Sequence, residues 1–338
     1  MASTRRRWHA SVLVATASCL VLTACSSTET PQAASSSCGQ VADNSAGFPR
    51  TVKHVMGEAK IDKPPKRVAA LDTSYVDAAL ALDTEVIAFT KYRGFGDKLP
   101  DYLAADAAKC GTNAKAVGEL AAPDVEQIYA LKPDLIVSAK IRHEKYYQQF
   151  ASSAPTVFSQ TTGASWKDNI RLLGKALGKE QLADKRIADY ESRARRLGEA
   201  IKTKNGGKAP TVTLARFVAG EQTARLYTSE SYAGIVMRDI GLPRPPGQPD
   251  RTDKVNVDVS QEEILKLDAD RVFVGVYDDD ARKGAEVKSR FAANPLWGKL
   301  TGKVSDVNDT TWITSVSLQG AHAIMDDLAK LFGVDPMK

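Results

Sequence analysis

Two stretches far apart in this chain carry one pattern, and that repeat constrains the fold more than any other feature. VEQIYALKPDLIV begins at Val125 and QEEILKLDADRVFV at Gln261. One constant offset lays Glu126 on Glu262, Ile128 on Ile264, Leu131 on Leu267, Asp134 on Asp270 and Ile136 on Val272. Each copy reads as a short helix, an Asp turn and a buried strand. Between the copies, residues 166–204 place Ile170, Leu173 and Leu177, then Ile187, Tyr190, Ala194, Leu197 and Ile201, on one helical face. Gly178 divides this stretch into a short helix and a long one, and Asn205-Gly206-Gly207 ends it. About 20–25 helical residues span roughly 30–37 Å, the width of a small domain. The expected class is therefore α/β, with two similar lobes joined by one long α-helix.

The flanking sequence fits that plan. RVAALD, TEVIAFTKY, LIVSA and APTVFSQ read as strands in the first lobe, with TSYVDAALALD as a helix between the first two. TVTLARF, RVFVGVY and KVSDVND are strands in the second lobe, and SYAGIVMRDIGL and GAHAIMDDLAKLFG are helices. Strands alternating with helices predict a parallel sheet in each lobe, covered on both faces. TVKHVMGEAKI, ahead of them, alternates like a strand or hairpin. The boundaries expected are 1–24 for an export signal, 25–50 for a flexible tether and 51–165 for the first lobe. The connecting helix takes 166–205 and the second lobe 206–338.

The first residues place the chain outside the cytoplasm. Arg5-Arg6-Arg7 precedes the apolar run SVLVATASCLVLTA, too short to cross a bilayer comfortably. Leu22-Thr23-Ala24-Cys25 resembles the bacterial lipobox, which implies cleavage before Cys25, its diacylation, and residence at the extracytoplasmic face of the cell membrane. Arg5-Arg6-Arg7-Trp8 also resembles, loosely, a twin-arginine signal, so the export route stays open. The net charge is +5, and the three signal arginines supply three of it. No basic surface for nucleic acid remains. Cys19 lies in the signal, which leaves Cys38 and Cys110 in an oxidising setting, as a disulfide or as two thiols.

In open α/β sheets ligands lie beyond the carboxyl ends of the strands, and two facing lobes put those ends in one cleft. The residues at such ends are Tyr92, Arg93 and Phe95, Arg142 and Trp166 from the first half. Arg216 and Phe217, Tyr227, Tyr277 and Trp312 come from the second. Arginine offers a rigid fork of donors to oxygen-rich ligands, and aromatic rings offer apolar area with little entropy to lose. No nucleophile elbow, phosphate loop, zincin motif or dinucleotide fingerprint is present. His54, His143 and His322 have no metal-ligand spacing. The reading is a binding protein rather than an enzyme, with neither a cofactor nor a metal site of its own.

P-x-R-V-A-A-L before Asp72, G-E-L-A-A-P-D-V-E-Q-I-Y-A-L-K-P-D-L-I-V from Gly118 and V-S-Q-E-E-I-L-K-L-D-A-D from Val259 together resemble the iron-siderophore and cobalamin substrate-binding proteins of ABC importers. The resemblance runs from about Thr51 to the end. It implies the class III periplasmic binding protein fold, two Rossmann-like lobes on a helical backbone. It implies a monomeric receptor whose Glu126 and Glu262 dock on the transporter permease, and whose closure on ligand is small. Few basic groups among several aromatics imply a ferric hydroxamate such as a ferrioxamine, with the iron held by the siderophore. A haem or cobalamin ligand is the alternative.

Overall fold

The computed structural model describes residues 38–39, 47–278 and 283–338. The expected signal, Cys25 and most of the tether lie outside the described residues. The first strands form an antiparallel hairpin, β1 (Arg50–His54) and β2 (Gly57–Ile61), whose inward positions are Val52, Ala59 and Ile61.

The first lobe follows as β3 (Arg67–Ala70), α1 (Thr73–Ala81), β4 (Glu85–Phe89), α2 (Ala104–Cys110) and β5 (Lys115–Ala116). A small antiparallel pair, β6 (Gly118–Glu119) and β7 (Ala122–Pro123), leads to α3 (Val125–Ala130), β8 (Leu135–Ala139) and α4 (Lys140–His143). Then come α5 (Tyr147–Ala151) and β9 (Thr156–Ser159). The sheet order is β5-β4-β3-β8-β9, and every pairing is parallel. Its central strands are buried on both faces, hence their unbroken apolar runs.

Two helices carry the chain across, α6 (Trp166–Leu177) and α7 (Glu180–Lys204). Gly178 sits between them at φ +72°, a left-handed cap that a side chain would strain. At 25 residues, α7 is about 37 Å long.

The second lobe contains β10 (Val212–Val218), β11 (Ala224–Tyr227), α8 (Tyr232–Ile240) and β12 (Asn256–Val259). It closes with β13 (Arg271–Tyr277), α9 (Lys283–Ala292), β14 (Lys303–Asp306) and α10 (Leu318–Phe332). Its sheet order is β12-β11-β10-β13-β14. Only the β10–β13 and β13–β14 pairings are parallel, while β11 runs antiparallel to both its neighbours. The expectation of a second all-parallel sheet is thus corrected. The turn between β10 and β11, with Gly220 at φ +83°, is too short for a crossover helix and folds the chain straight back.

The repeat has a physical basis. Asp134 accepts the backbone N–H groups of Lys66 and Arg67, both at 3.1 Å, at the start of β3. Asp270 accepts the N–H and the hydroxyl of Thr211, at 2.7 and 2.9 Å, just before β10. Each Asp pins the entry of the strand beside its own. One difference is that residues Gln261–Leu267 wind as a 3-10 helix where α3 is α-helical.

Packing joins the lobes. One core cluster fills the first lobe's outer side around Ile136, Phe150 and Phe158, and another fills the second lobe's around Phe217, Val274 and Phe291. The largest runs through α1, α6, α7, α8 and α10 and takes residues from both lobes. Cys38 and Cys110 form a disulfide with Cα atoms 5.1 Å apart.

Candidate functional site

The ends of the strands meet in a cleft of about 380 Å³. The first lobe supplies the start of α4, with Ile141 and Arg142, and the loop 161–164 after β9. The second supplies Arg216, Tyr227 and Trp312, with Lys254 and Val255 at the edge. The volume lies in the range of small-ligand sites. Ile141 and Val255 are among the few large apolar side chains left exposed, one on each lip.

Two arginines face the cleft already paired. Asp72 is 1% exposed and caps α1 through the Ser74 N–H at 3.0 Å, while its other oxygen takes Arg142 Nε at 2.9 Å. Arg216 forms a two-pronged pair with Asp309, Nε to Oδ1 at 2.6 Å and an Nη2 to Oδ2 at 2.5 Å. Gly275 lies beside Arg216 in the sheet, and a Cβ there would stand 2.8 Å from Ile313 Cδ1 and 3.4 Å from Asp309 Oδ1. The bare glycine lets the ion pair seat. Asp72 lies as far past Val68 as Arg216 lies past Val212, and those strands pair with Leu135 and Arg271 in the same register. Equivalent places in the two lobes therefore hold an acid and a base, each with an opposite partner.

Arg93 differs. It is exposed and has no carboxylate partner among the described residues. Its guanidinium lies over the ring of Tyr277 at 4.5 Å, and Arg216 lies against the same ring at 5.0 Å. The ring, at the end of β13, is contacted by a cation from each lobe. An Arg216 Nη1 also donates to the Tyr227 hydroxyl at 3.4 Å, and burial pushes that phenol above its ordinary pKa, so it stays protonated.

Of the residues expected at the site, Arg142, Arg216, Tyr227 and Trp312 line this cleft, while Arg93 and Tyr277 lie beside it, in contact with Arg216 through the Tyr277 ring, and do not line it. Trp312 shows the cleft only an edge: it is buried, its ring tilted against Phe273 at 4.9 Å, with its indole N–H on Asp327 at 2.8 Å. Four others lie elsewhere. Trp166 is 1% exposed, wedged between Tyr190 and Tyr232 as the first member of the α6 apolar face. Tyr92 is equally buried and donates to Asp77 at 2.5 Å. Phe217 alternates with Arg216, so it points through the sheet onto Phe291 at 5.0 Å. Phe95 is half-buried against the inter-lobe core and does not line the cleft. Sequence reasoning missed Asp309, Val255 and the 161–164 loop, and only the Pro-rich run before Val255 hinted that a loop lay there.

Among the described residues no histidine lines the cleft. His143 is buried: its Nε2–H donates to Leu120 O at 2.6 Å and its Nδ1 accepts from Ser138 Oγ at 2.7 Å, the tautomer that satisfies both partners. Burial lowers its pKa, so it is a neutral brace under α4 and Arg142. His322, its pKa lowered to about 4 by burial and Arg193, accepts from that arginine at 2.9 Å. Asp278 caps α9 through the Ala285 N–H rather than holding a cation, and the two acids after it lie outside the described residues. Glu126 and Glu262 are both exposed and stand at the second position of their matched helices. Hydrogen bonding from Ser260 holds the Glu262 carboxyl below the usual range.

Residues 68–302 match the family described as periplasmic binding protein. The chain is 34% identical over 325 residues to the probable siderophore-binding lipoprotein YfiY of Bacillus subtilis (strain 168), covering 93% of this chain and 94% of that protein. It is 25% identical over 304 residues to the Fe(3+) dicitrate-binding periplasmic protein FecB of Escherichia coli (strain K12), covering 87% and 93%. Among solved structures, Staphylococcus aureus SirA complexed with staphyloferrin B is similar at a TM-score of 0.76 and 30% identity, covering 85% of this chain and 99% of that one.

Proposed function

The chain belongs to the periplasmic binding protein family, as a siderophore-binding receptor of ABC iron uptake, and on that premise we propose that it takes a ferric hydroxamate of low net charge, such as a ferrioxamine, in the inter-lobe cleft. One observation carries this reading: the cleft arginines Arg142 and Arg216 are neutralised in place by Asp72 and Asp309. A highly anionic chelate would have to displace those carboxylates, whereas a neutral one need not. Arg93 and the free edge of Arg216 then donate to the hydroxamate oxygens around iron. Tyr277 and Tyr227 cover the organic shell, and Ile141 and Val255 meet its apolar linkers. The iron stays with the chelator. Ferric carboxylates are the second reading, favoured by the likeness to SirA with staphyloferrin B and by Arg93, which has no carboxylate partner among the described residues.

Glu126 and Glu262 are the docking pair for the permease. What supports this is their exposure and their equivalent places, one on each lobe; such charges set orientation and encounter rate more than raw affinity. Cys25 is the lipid anchor. Among the described residues no helix is long and apolar enough to cross a membrane.

The test is tryptophan quenching of the mature domain by ferrioxamine, ferric citrate, a ferric catecholate, haem and cobalamin. Tightest saturable binding to ferrioxamine, weakened by Arg93→Ala, supports the reading. Tighter binding of ferric citrate moves the ligand to the carboxylate class, and a response to haem or cobalamin alone discards the siderophore assignment.

A further inference from the structure

The second lobe holds a separate cavity of about 360 Å³ between the β10 face, α8 and the turn that follows α8. Its walls are Leu214, Met237, Leu242 and Phe273, all buried. The pocket is partly open to the surface, and its inner wall belongs to the central core. It falls in the size range of small-molecule sites. Met237, flexible and polarizable, suits a wall that conforms to a chain-like guest.

The charges at its edge are Arg238 and Arg244. Arg244 is largely withdrawn from water and donates to the backbone carbonyls of Tyr227 and Pro249. Its carboxylate neighbour, Asp250, stands at 3.8 Å, and Glu230 stands at 3.8 Å from Arg238. Neither makes the close two-pronged pairing that Asp309 makes with Arg216, and Asp250 is engaged by the Ser229 N–H at 2.9 Å. Burial lowers the Arg244 pKa, the mark of a cation short of compensation. An apolar interior thus ends at two loosely paired guanidinium groups.

We propose that this cavity is a second ligand site, distinct from the cleft, that takes a single-chain anionic amphiphile with its tail against Met237 and Phe273 and its head on Arg244 and Arg238. A free fatty acid and an anionic lysolipid share that chemistry. The site touches the cleft: Tyr227 lines both, and Phe273 packs against Trp312. Filling it therefore presses on the wall that receives the chelate.

The test titrates the iron-free mature protein with dodecanoate, with lysophosphatidylglycerol and with uncharged dodecanol, each below its aggregation limit, by calorimetry and tryptophan emission. The expected result is one saturable equivalent of dodecanoate or of the lysolipid, whichever binds tighter naming the source, with dodecanol weaker than both. Met237→Trp, which fills the space, is expected to weaken binding about tenfold or more. Arg244→Gln is expected to weaken the anions about threefold or more while leaving dodecanol unchanged. Leu214→Phe narrows the same space and serves if Met237→Trp does not melt like the parent. The proposal is overturned if no amphiphile saturates, if a folded space-filling variant binds unchanged, or if Arg93→Ala rather than Met237→Trp removes the binding, which would put the amphiphile in the cleft. No chelate is used, so the outcome is independent of the siderophore assignment.

Discussion

Asp77→Asn is expected to make the protein more stable relative to its parent as pH rises, although it removes a hydrogen-bonded carboxylate. Asp77 lies on α1, 0% exposed, where α1 meets the start of α10 in the other lobe. Tyr92 donates to one of its oxygens at 2.5 Å and Tyr102 to the other at 2.7 Å. Ser317 faces it from α10, and Gln319 donates to its backbone carbonyl at 2.9 Å and to Asp106 at 2.8 Å. Among the described residues no cation pairs with it, so burial dominates and lifts its pKa from 3.8 to about 7, against the hydrogen bonds, which lower it, and with Asp72 adding to the rise. The folded chain therefore keeps a proton that the unfolded chain sheds above pH 4. The stability this gives is full below that point and is lost as pH rises towards 7. Three pH units at about 1.4 kcal/mol each make a swing on the order of 4 kcal/mol. An asparagine mimics the neutral form at every pH. Unfolding by urea at pH 5, 6, 7 and 8 would show the parent losing stability relative to the variant across that window. Parallel curves for the two proteins would refute the argument that burial outweighs the tyrosine hydroxyls.

Other perturbations have equally definite outcomes. The disulfide closes a separation of 72 residues, and chain entropy puts its contribution at roughly 4 kcal/mol; Cys110→Ser should lower the urea midpoint accordingly, and reduction should match it. Gly198→Ala would bring a Cβ to 1.7 Å from the Ile240 carbonyl oxygen, so α7 and α8 must part; a loss of about 3 kcal/mol is expected in thermal melting, despite the better helix propensity of alanine. Asp309→Asn frees the charge of Arg216 and should raise affinity for ferric citrate about tenfold, with a smaller effect on ferrioxamine, in the quenching assay. Charge reversal at Glu126 or Glu262 should leave chelate binding intact while uptake in cells falls.

Much of this molecule was legible because it is written twice. The matched Asp134 and Asp270 predicted two strand entries, and Gly178 predicted the break before the long helix. The position of Arg216 followed from the rule that strand ends face the cleft, and Arg93 and Tyr277 fall beside it. Two misplacements were avoidable: Phe217 adjoins Arg216 in a strand and must take the other face, and Trp166 begins the spacing of Ile170, Leu173 and Leu177. Others were not. Nothing near Tyr92 shows that a buried Asp77 awaits its hydroxyl. β11 and β12 are short strands of mixed polarity, and their sequence reads as loop. Asp309 lies far from Arg216 along the chain, and no periodicity links them.

The paired arginines also bear on how such a cleft changes ligand. Asp72 and Arg216 occupy equivalent places, so each lobe builds its floor from one acid–base couple with the signs exchanged. Removing the base of either couple leaves a buried carboxylate, which is costly, while removing the acid leaves a cation at the cleft surface that a ligand can satisfy. The asymmetry makes loss of Asp309 the easier step, because Asp72 also caps α1 and is fully enclosed, whereas Asp309 is 12% exposed. Loss of Asp72 would cost the cap as well as the pair, about 1 kcal/mol more. If the cleft takes a neutral chelate as proposed, one substitution in the second lobe would turn it towards anionic ones, with α1 and the shared core that fixes the two lobes left untouched.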